Sequence, residues 1–510
     1  MPSAPPPQPE AGVLATAPLT DRLLRSWLRC RRRAWLDRHG SPLQRQWSAH
    51  RALALDDQLR GFQTLLPERP GHGEPAAAAG AAGVVGLRLR GRGPEGLKLE
   101  AHPPLLERVE GSSRWGAHAY RPVLARQGRN LTREHRLQLM LWGRLLAEHQ
   151  GAEVSHGLVV AGAGRGLERE RLALGGSLQR QLDEALQRLA ADLARSSPPP
   201  LTSDRKKCTL CCWRGICDAE AAAEGHLSEV SGIGGRRREL LVALGIDSLP
   251  QLAAADPAAL AEALAVHGEQ HREVAPQLVA QARVQQQGLA LRRPEARGPA
   301  LPELATAPGV LLYDIESDPD ARDDFLHGLL ILPRDPAGHW PTAAEDPGRY
   351  QPLLALQEHG EARLWARLRR LLARYPDWPL LHWGETEALG LLRLAERQGA
   401  SEAERAGLKV RLIDVHVRLR RHWLLPVNSY GLKAVAGWLG FRWRQRGVDG
   451  ARCLLWWRQW RRWCHDAEAG PRRPGRRAGA EQLRRIFLYN HDDCLATWAV
   501  ARWLLDQDRA

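Results

Sequence analysis

Two carboxylates separated by a single residue, Asp314 and Glu316 in GVLLYDIES, follow an apolar, β-branched lead-in. On a strand, residues at i and i+2 project from one face, so both acids point the same way. Hard divalent cations need several oxygen ligands close together, and such a pair at a strand end can supply some of them. Two other stretches carry acids that could join the pair. Glu387 lies in PLLHWGETEAL, where a short strand runs into a helix, and Asp493 lies in the helical stretch IFLYNHDDCLATWAVARWLL, with Tyr489 four residues before it on the same face. A second constellation is built from thiols. CTLCCWRGIC holds Cys208, Cys211 and Cys217 in a C-x2-C-x5-C arrangement, with Cys212 to spare, and Cys30 lies far upstream in WLRCRRRAWL. Four thiolates are what a 4Fe-4S cluster needs, and they suit a tetrahedral Zn2+ as well.

Elements must bring these groups together. HGLLILP and YQPLLALQ follow the acidic strand at hairpin-like spacing, which predicts a mixed or antiparallel sheet. SYGLKAVAGWLGF reads as a helix closed at Gly440, and WWRQWRRW as a helix packing Trp456, Trp457, Trp460 and Trp463 into the core with solvated arginines opposite. Asp414 in LIDVHVRL suits a helix cap or the surface, Asp492 a solvated position, and Cys453, Cys464 and Cys494 the interior of apolar helices. Toward the N-terminus, LTDRLLRSWLRCRRRAWL has a helical pattern, Gly71 to Gly83 reads as a loose Gly/Ala-rich loop, and SSPPP breaks the chain just before the cysteines. LSEVSGIGGRRRELLVALGIDSLPQLAAA reads as helix, Gly-Ile-Gly turn, helix. Gly232 and Gly234 let the backbone approach a phosphate, and Arg236, Arg237 and Arg238 could add sequence-independent charge contacts.

Composition sets wider bounds. A chain of 510 residues exceeds what one core serves, so two or three domains are expected, and a hydrophobic content of 44% can fill them. The net charge of +15 is compatible with a polyanionic partner. Its weight is small, because arginine supplies nearly all of it (the lysines are Lys98, Lys206, Lys207, Lys409 and Lys433) and a general compositional drift would do the same. The opening MPSAPPPQPE lacks the pattern of a secretory signal, and no run of roughly 18 uncharged apolar residues appears, so the expectation is a cytoplasmic protein with no membrane partner. In a reducing compartment the 8 cysteines are better suited to metal or cluster ligation than to disulfides.

The acidic constellation resembles the DnaQ-like DEDD exonucleases, and more narrowly the YprB-like ribonuclease-H-like domains. Asp314 and Glu316 match the family's Asp-x-Glu, HWGETE matches the second motif loosely with Glu387 where the family has Asp, and Tyr489 with Asp493 matches the tyrosine form of the third. The resemblance implies that Asp314, Glu316, Glu387 and Asp493 hold two Mg2+ or Mn2+ and that Tyr489 orients the attacking water, giving 3′ to 5′ hydrolysis of DNA, with RNA as the alternative substrate. The distant Cys30 with Cys208, Cys211 and Cys217 resembles the iron-sulfur-stapled RecB-like nucleases, in which the cluster pins the start of the domain to its end. That family's catalytic carboxylates are missing: HPPLLERV has Pro104 where the acid is expected, and YRPVLARQG carries neither acid nor lysine. HRLQLMLWGRLL does keep the Gln-Leu-x-x-aromatic pattern at Gln138, Leu139 and Trp142. A site without carboxylates cannot hold the cation, so the RecB-like module is expected to be catalytically degenerate. The Gly-Ile-Gly segment resembles a helix-hairpin-helix.

These readings predict an α/β multidomain chain resembling the RecB-family nucleases. A tail at 1–17 precedes a restriction-endonuclease-like RecB-like domain at 18–225, followed by a small helical hairpin domain at 226–290. A linker at 291–308 then leads to a ribonuclease-H-like α/β domain with a mixed sheet at 309–510. A non-catalytic nucleic-acid-binding or helicase-accessory protein, with a helicase as partner, is the rival expectation.

Overall fold

The structure, a computed structural model, describes residues 17–66, 68–126, 130–163, 166–203, 205–319, 323–342, 348–356, 360–468 and 476–509. The expected tail thus lies almost wholly outside the described residues. The chain divides into two compact units, 1–219 and 220–510, and both are mixed α/β or helical.

In the first unit, Thr20 caps the helix Asp21–Arg29 by accepting from the Leu23 amide (3.1 Å). The chain breaks at Cys30, whose backbone is extended, and resumes as the helix Arg31–His39. A six-stranded sheet runs in the order Gly71–His72, Gly83–Val85, Leu105–Val109, Ala119–Arg126, His156–Ala163, Gly166–Ala173. Gly83–Val85, Leu105–Val109 and Ala119–Arg126 run antiparallel in turn, the helix Arg133–Gln150 crosses over, His156–Ala163 returns parallel to Ala119–Arg126, and Gly166–Ala173 pairs antiparallel with His156–Ala163. Two buried tryptophans tie the helices down: Trp142 Nε1 donates to Asp21 (2.8 Å) and Trp27 Nε1 to Asp192 (2.7 Å). The Gly71 to Gly83 stretch departs from the expected loop. It forms a short strand and the helix Gly73–Ala78, because its alanines favour helix and Ala77 is fully buried.

The second unit opens with four helices around their own core: Gly235–Ala243, Leu249–Ala254, Pro257–Ala265 and Ala275–Gln287. The Gly-Ile-Gly turn is present, with Gly232 at φ +95°, but its upstream arm is only the single 3-10 turn Leu227–Glu229 rather than a full helix. The expected linker is also structured. Leu291–Arg292 pairs antiparallel with Trp423–Leu424, and Ala300, Leu301, Leu304 and Ala307 are buried in the main core, since this Pro/Gly-bearing stretch keeps enough Ala and Leu to pack.

A five-stranded sheet follows, built from β1 (Gly309–Asp318), β2 (Asp323–Pro333), β3 (Arg349–Leu354), β4 (Leu380–His382) and β5 (Leu412–Asp414). Its order is β3-β2-β1-β4-β5, with β1 to β3 antiparallel and β4 and β5 parallel to β1. The helices are α1 (Glu361–Ala373), α2 (Glu385–Arg397), α3 (Glu402–Arg411), α4 (Val415–His422), α5 (Leu432–Trp438), α6 (Gly450–Glu468) and α7 (Arg476–Gln507). The period of two splits β1 between two cores. Leu311 and Tyr313 pack with α1 and α2, while Val310 and Leu312 pack with α5 and α7. Among the described residues no helix is long and apolar enough to cross a membrane.

Candidate active site

The even-numbered face of β1 carries Asp314 and Glu316 onward from Val310 and Leu312, toward α7. There Asp493 meets them. One ligand oxygen from each of Asp314, Glu316 and Asp493 lies within 4.8 Å of the others, the only such group of three or more His, Cys, Asp or Glu side chains among the described residues. Burial and mutual repulsion push Asp314 and Glu316 well above the ordinary carboxylate range. Burial raises Asp493 to about 6, opposed by the Trp443 indole, which donates to its carboxylate (2.6 Å), and by the Lys433 cation. Three acids drawn into one buried space without a counter-charge to match are arranged for hard cations, and their all-oxygen donor set suits Mg2+ or Mn2+.

Glu387 sits in the first turn of α2, brought there by the β4 strand end and Gly384, whose φ of +93° makes the turn. It is buried, and its Oε2 has no hydrogen-bond partner. Burial first, then the charges of Asp414 and Asp493, raise it to about 7. Its carboxylate also acts electrostatically on Asp314 and Glu316, although it stands outside the 4.8 Å group. Tyr489, buried on α7, hydrogen-bonds Asp493, and the Lys433 ammonium lies 5.0 Å from its ring centroid.

Several positioning groups have no mark in the sequence pattern. The Asn490 amide donates to Asp314 Oδ2 (2.6 Å), and its own oxygen accepts from the Tyr350 hydroxyl (2.8 Å). Gly328 pairs with Asp314 across β1 and β2, and a Cβ there would overlap Asn490 Oδ1, so the glycine is required by this close approach. Arg458 on α6 makes a buried two-point ion pair with Asp318 at the end of β1 (2.9 and 2.7 Å). Asp492, expected in solvent, is instead buried and held by the Arg444 amide and guanidinium (2.8 and 2.6 Å). Asp414 is the cap of α4, accepting from Val417 (3.2 Å) and also from Gly384 (3.1 Å). The Trp456 and Trp457 face packs into the core.

In the first unit the cysteine segment is pinned to the opening helices. The Trp213 indole donates to Asp37 (2.9 Å), the Gln46 amide to the Cys212 carbonyl (2.8 Å), and Arg32 to the Pro199 carbonyl (2.9 Å). Burial and then the neighbouring Cys30 push the Cys208 thiol up, and Cys217 is raised by burial and, in part, by Cys30; Arg205 and Arg32 act against these shifts. Cys30, Cys208 and Cys217 are therefore electrostatic neighbours, with cations at hand to stabilise thiolates. Cys211 is hydrogen-bonded to Cys212 instead, which with Arg45 holds Cys212 down at about 5. No three of these thiols lie within 4.8 Å of one another. Glu107 in the strand Leu105–Val109 is taken up by a cross-strand pair with Arg121 (2.8 Å). At the hairpin, Arg237 turns back onto the Gly232 carbonyl (2.7 Å), Arg236 stands exposed 3.6 Å from Glu239, and Gly234 caps the following helix.

Residues 311–505 match the family model described as "RNase_H superfamily". Residues 202–287 match a model described as a domain of unknown function, DUF4332. No curated protein matches the chain. The C-terminal region is thus an RNase H-like domain, consistent with a nuclease and with the use of divalent metals.

Proposed function

We propose that the protein is a two-metal 3′ to 5′ exonuclease that hydrolyses DNA with the carboxylates of its RNase H-like domain. The observation that carries this reading is the convergence of Asp314, Glu316 and Asp493 within 4.8 Å, beside the buried Glu387 whose Oε2 lacks a partner. Two Mg2+ or Mn2+ held by these four residues would supply a water that ionises near neutral pH and a counter-charge for the leaving 3′ oxygen. The chain's own groups do the rest. Asn490 fixes the Asp314 carboxylate, Trp443 and Lys433 limit the rise that burial imposes on Asp493, and the Tyr489 phenol orients the attacking water.

The first unit is read as a RecB-like module without nuclease activity, with Cys30, Cys208, Cys211 and Cys217 holding a 4Fe-4S cluster and Zn2+ as the chemical alternative. In the hairpin, Gly232, Gly234 and Arg236 offer amides and charge to a phosphate, whereas Arg237 would first have to leave the Gly232 carbonyl. Glu387 favours one rival. With a longer side chain than the family's Asp, and raised to about 7, it would suit a site drifting toward a binding or helicase-accessory role.

The deciding experiment follows nucleotide release from end-labelled DNA and RNA, with Mg2+, Mn2+ or chelator, for wild type and Asp314→Ala. The proposal expects release that chelator abolishes and that the substitution cuts by at least about 10³-fold, equivalent to about 4 kcal/mol. Release in neither protein, with binding retained, would replace the enzyme by the binding module. A brown colour in the purified protein, lost in Cys208→Ser, would mark iron-sulfur rather than zinc.

A further inference from the structure

On the second unit an open cleft of about 420 Å³ is lined by Gln277, Arg293, His416, Val417, Arg420 and Arg421. No carboxylate lines it. Among the described residues no acid pairs with Arg293, Arg420 or Arg421, whereas Arg418 on the same helix is bonded to Glu303 and the Ala300 carbonyl. General arginine enrichment accounts for paired surface arginines such as Arg397 with Glu361, but it does not explain three that converge on one acid-free cleft. Like charges brought together unpaired repel, and what relieves them is an external anion.

The cleft shares a helix with the segment that positions Glu387. Its helix, α4, starts at Asp414, whose carboxylate also accepts from Gly384 in the turn leading to Glu387. Its first cleft residue, His416, lies against Trp383 with ring centroids 5.3 Å apart. Trp383 follows β4 where the parallel register, Leu312 with Leu381, leads to Asp314 on the neighbouring strand. One helical turn on from His416 comes Arg420, about 6 Å further along the axis, stacked over Tyr430 (5.7 Å), and then the exposed Arg421. Aromatic surface next to the site, followed by cations leading away from it, is the sequence of chemistries that a single nucleic-acid strand presents in reverse: bases to stack and phosphates to neutralise.

We propose that this cleft binds the sugar-phosphate backbone of a single-stranded DNA or RNA, with Arg293, Arg420 and Arg421 on phosphates and the Trp383–His416 pair at the end nearest the carboxylates. The proposal rests on the nuclease reading for its direction, but its test does not use catalysis. Fluorescence anisotropy of 5′-labelled 20-nucleotide oligo(dT) and oligo(U) would be measured against the full chain in chelator across a salt series. The double substitution Arg420→Ala/Arg421→Ala is expected to weaken binding roughly tenfold and to flatten the slope of log K against log salt by about 1.4, each single-strand phosphate contact contributing about 0.7. Arg420→Lys/Arg421→Lys, which keeps the charge, is expected to retain most of the affinity. Arg293→Ala alone should flatten the slope by about half as much. If both alanine variants, folded by their unfolding transitions, bind with wild-type affinity and slope, the cleft proposal is overturned while the carboxylate reading stands. Displacement of the oligonucleotide by polyglutamate as readily as by unlabelled strand would overturn it in favour of an acidic protein partner. Salt-dependent binding that the alanine variants lose, in a protein that releases no nucleotide with any metal, supports the cleft and counts against the nuclease instead. A preference for one of the two oligonucleotides identifies the strand.

Discussion

Adding Mn2+ or Mg2+ at pH 8 is expected to stabilise the C-terminal unit, and raising the pH without metal to destabilise it. Burial holds Glu387 at about 7 and Asp493 at about 6, against ordinary values of 4.5 and 3.8. At about 1.4 kcal/mol per pH unit, each displacement is worth about 3 kcal/mol. The sign follows from which form the fold prefers. Both carboxyls hold their proton more tightly folded than unfolded, so their contribution is complete below about pH 4 and is lost as the pH rises through 6 and 7. By pH 8 the metal-free unit has lost on the order of 3 to 6 kcal/mol from these two groups. For a unit of this size each kcal/mol moves Tm by about 2 to 4 °C, so a fall of about 10 °C between pH 5 and pH 8 is expected in chelator. Saturating Mn2+ restores most of it at pH 8 and little at pH 5, where protons compete for the same oxygens. Differential scanning fluorimetry at pH 5, 6, 7 and 8, with chelator and with Mn2+, reads this directly. Asp314→Asn removes one titratable carboxyl from the cluster, so its metal-free Tm should fall less between pH 5 and pH 8 and its metal response should shrink. A metal-free Tm that is flat across this range, or an Asp314→Asn variant that responds to Mn2+ as wild type does, would refute the reasoning.

Tyr489→Phe keeps the ring over Lys433 but loses the hydroxyl on Asp493, and should slow hydrolysis roughly a hundredfold while the Mn2+-induced rise in Tm persists. Gly328→Ala forces Asn490 away from Asp314 and is expected to cost about 1 to 3 kcal/mol in chemical denaturation, with weaker metal binding by titration calorimetry. Arg458→Ala leaves Asp318 charged and buried, and should cost about 3 to 5 kcal/mol. Replacing both partners with Arg458→Met and Asp318→Leu should recover most of that loss, which urea unfolding of the two variants would check.

The parts of the site that lie on regular elements are legible in the sequence. GVLLYDIES announces its strand by composition, and period two then settles that Asp314 and Glu316 share the face of Val310 and Leu312. The spacing of Tyr489 and Asp493 does the same on α7. What the pattern misjudges are short stretches whose structure is decided by distant partners. The stretch 291–308 has the prolines and glycines of a linker, yet Ala300, Leu301 and Leu304 are drawn into a core supplied by α4, α5 and α7. The Gly71 to Gly83 stretch looks loose until the Tyr120 hydroxyl and His118 bind the Ala77 carbonyl. The cysteine set is legible as chemistry but not as geometry, because no spacing rule says that Cys211 bonds Cys212 while Cys30 acts electrostatically on Cys208 and Cys217.

Asp492 shows why the remainder was hidden. A helix with one core face and one wet face would leave an acid beside Asp493 in solvent, and that is how the period of α7 reads. The helix is instead enclosed over most of this turn: Tyr489, Asn490, Asp492, Asp493 and Cys494 are buried, and His491 is half-buried. An enclosed helix that carries an amide and two carboxylates must find a partner for each, or bear the cost of burying it unpaired. The partners come from segments far away in the chain. Tyr350 on β3 and Asp314 on β1 take Asn490, Arg444 takes Asp492, and the adjacent Trp443 takes Asp493. The demand for hydrogen-bond partners therefore brings the 443–444 segment to the carboxylates, and with it the indole that keeps Asp493 below its buried value. Asp314 and Asp493 are both held by polar groups on or against α7, so the strength of this part of the site and the packing of α7 rise and fall together.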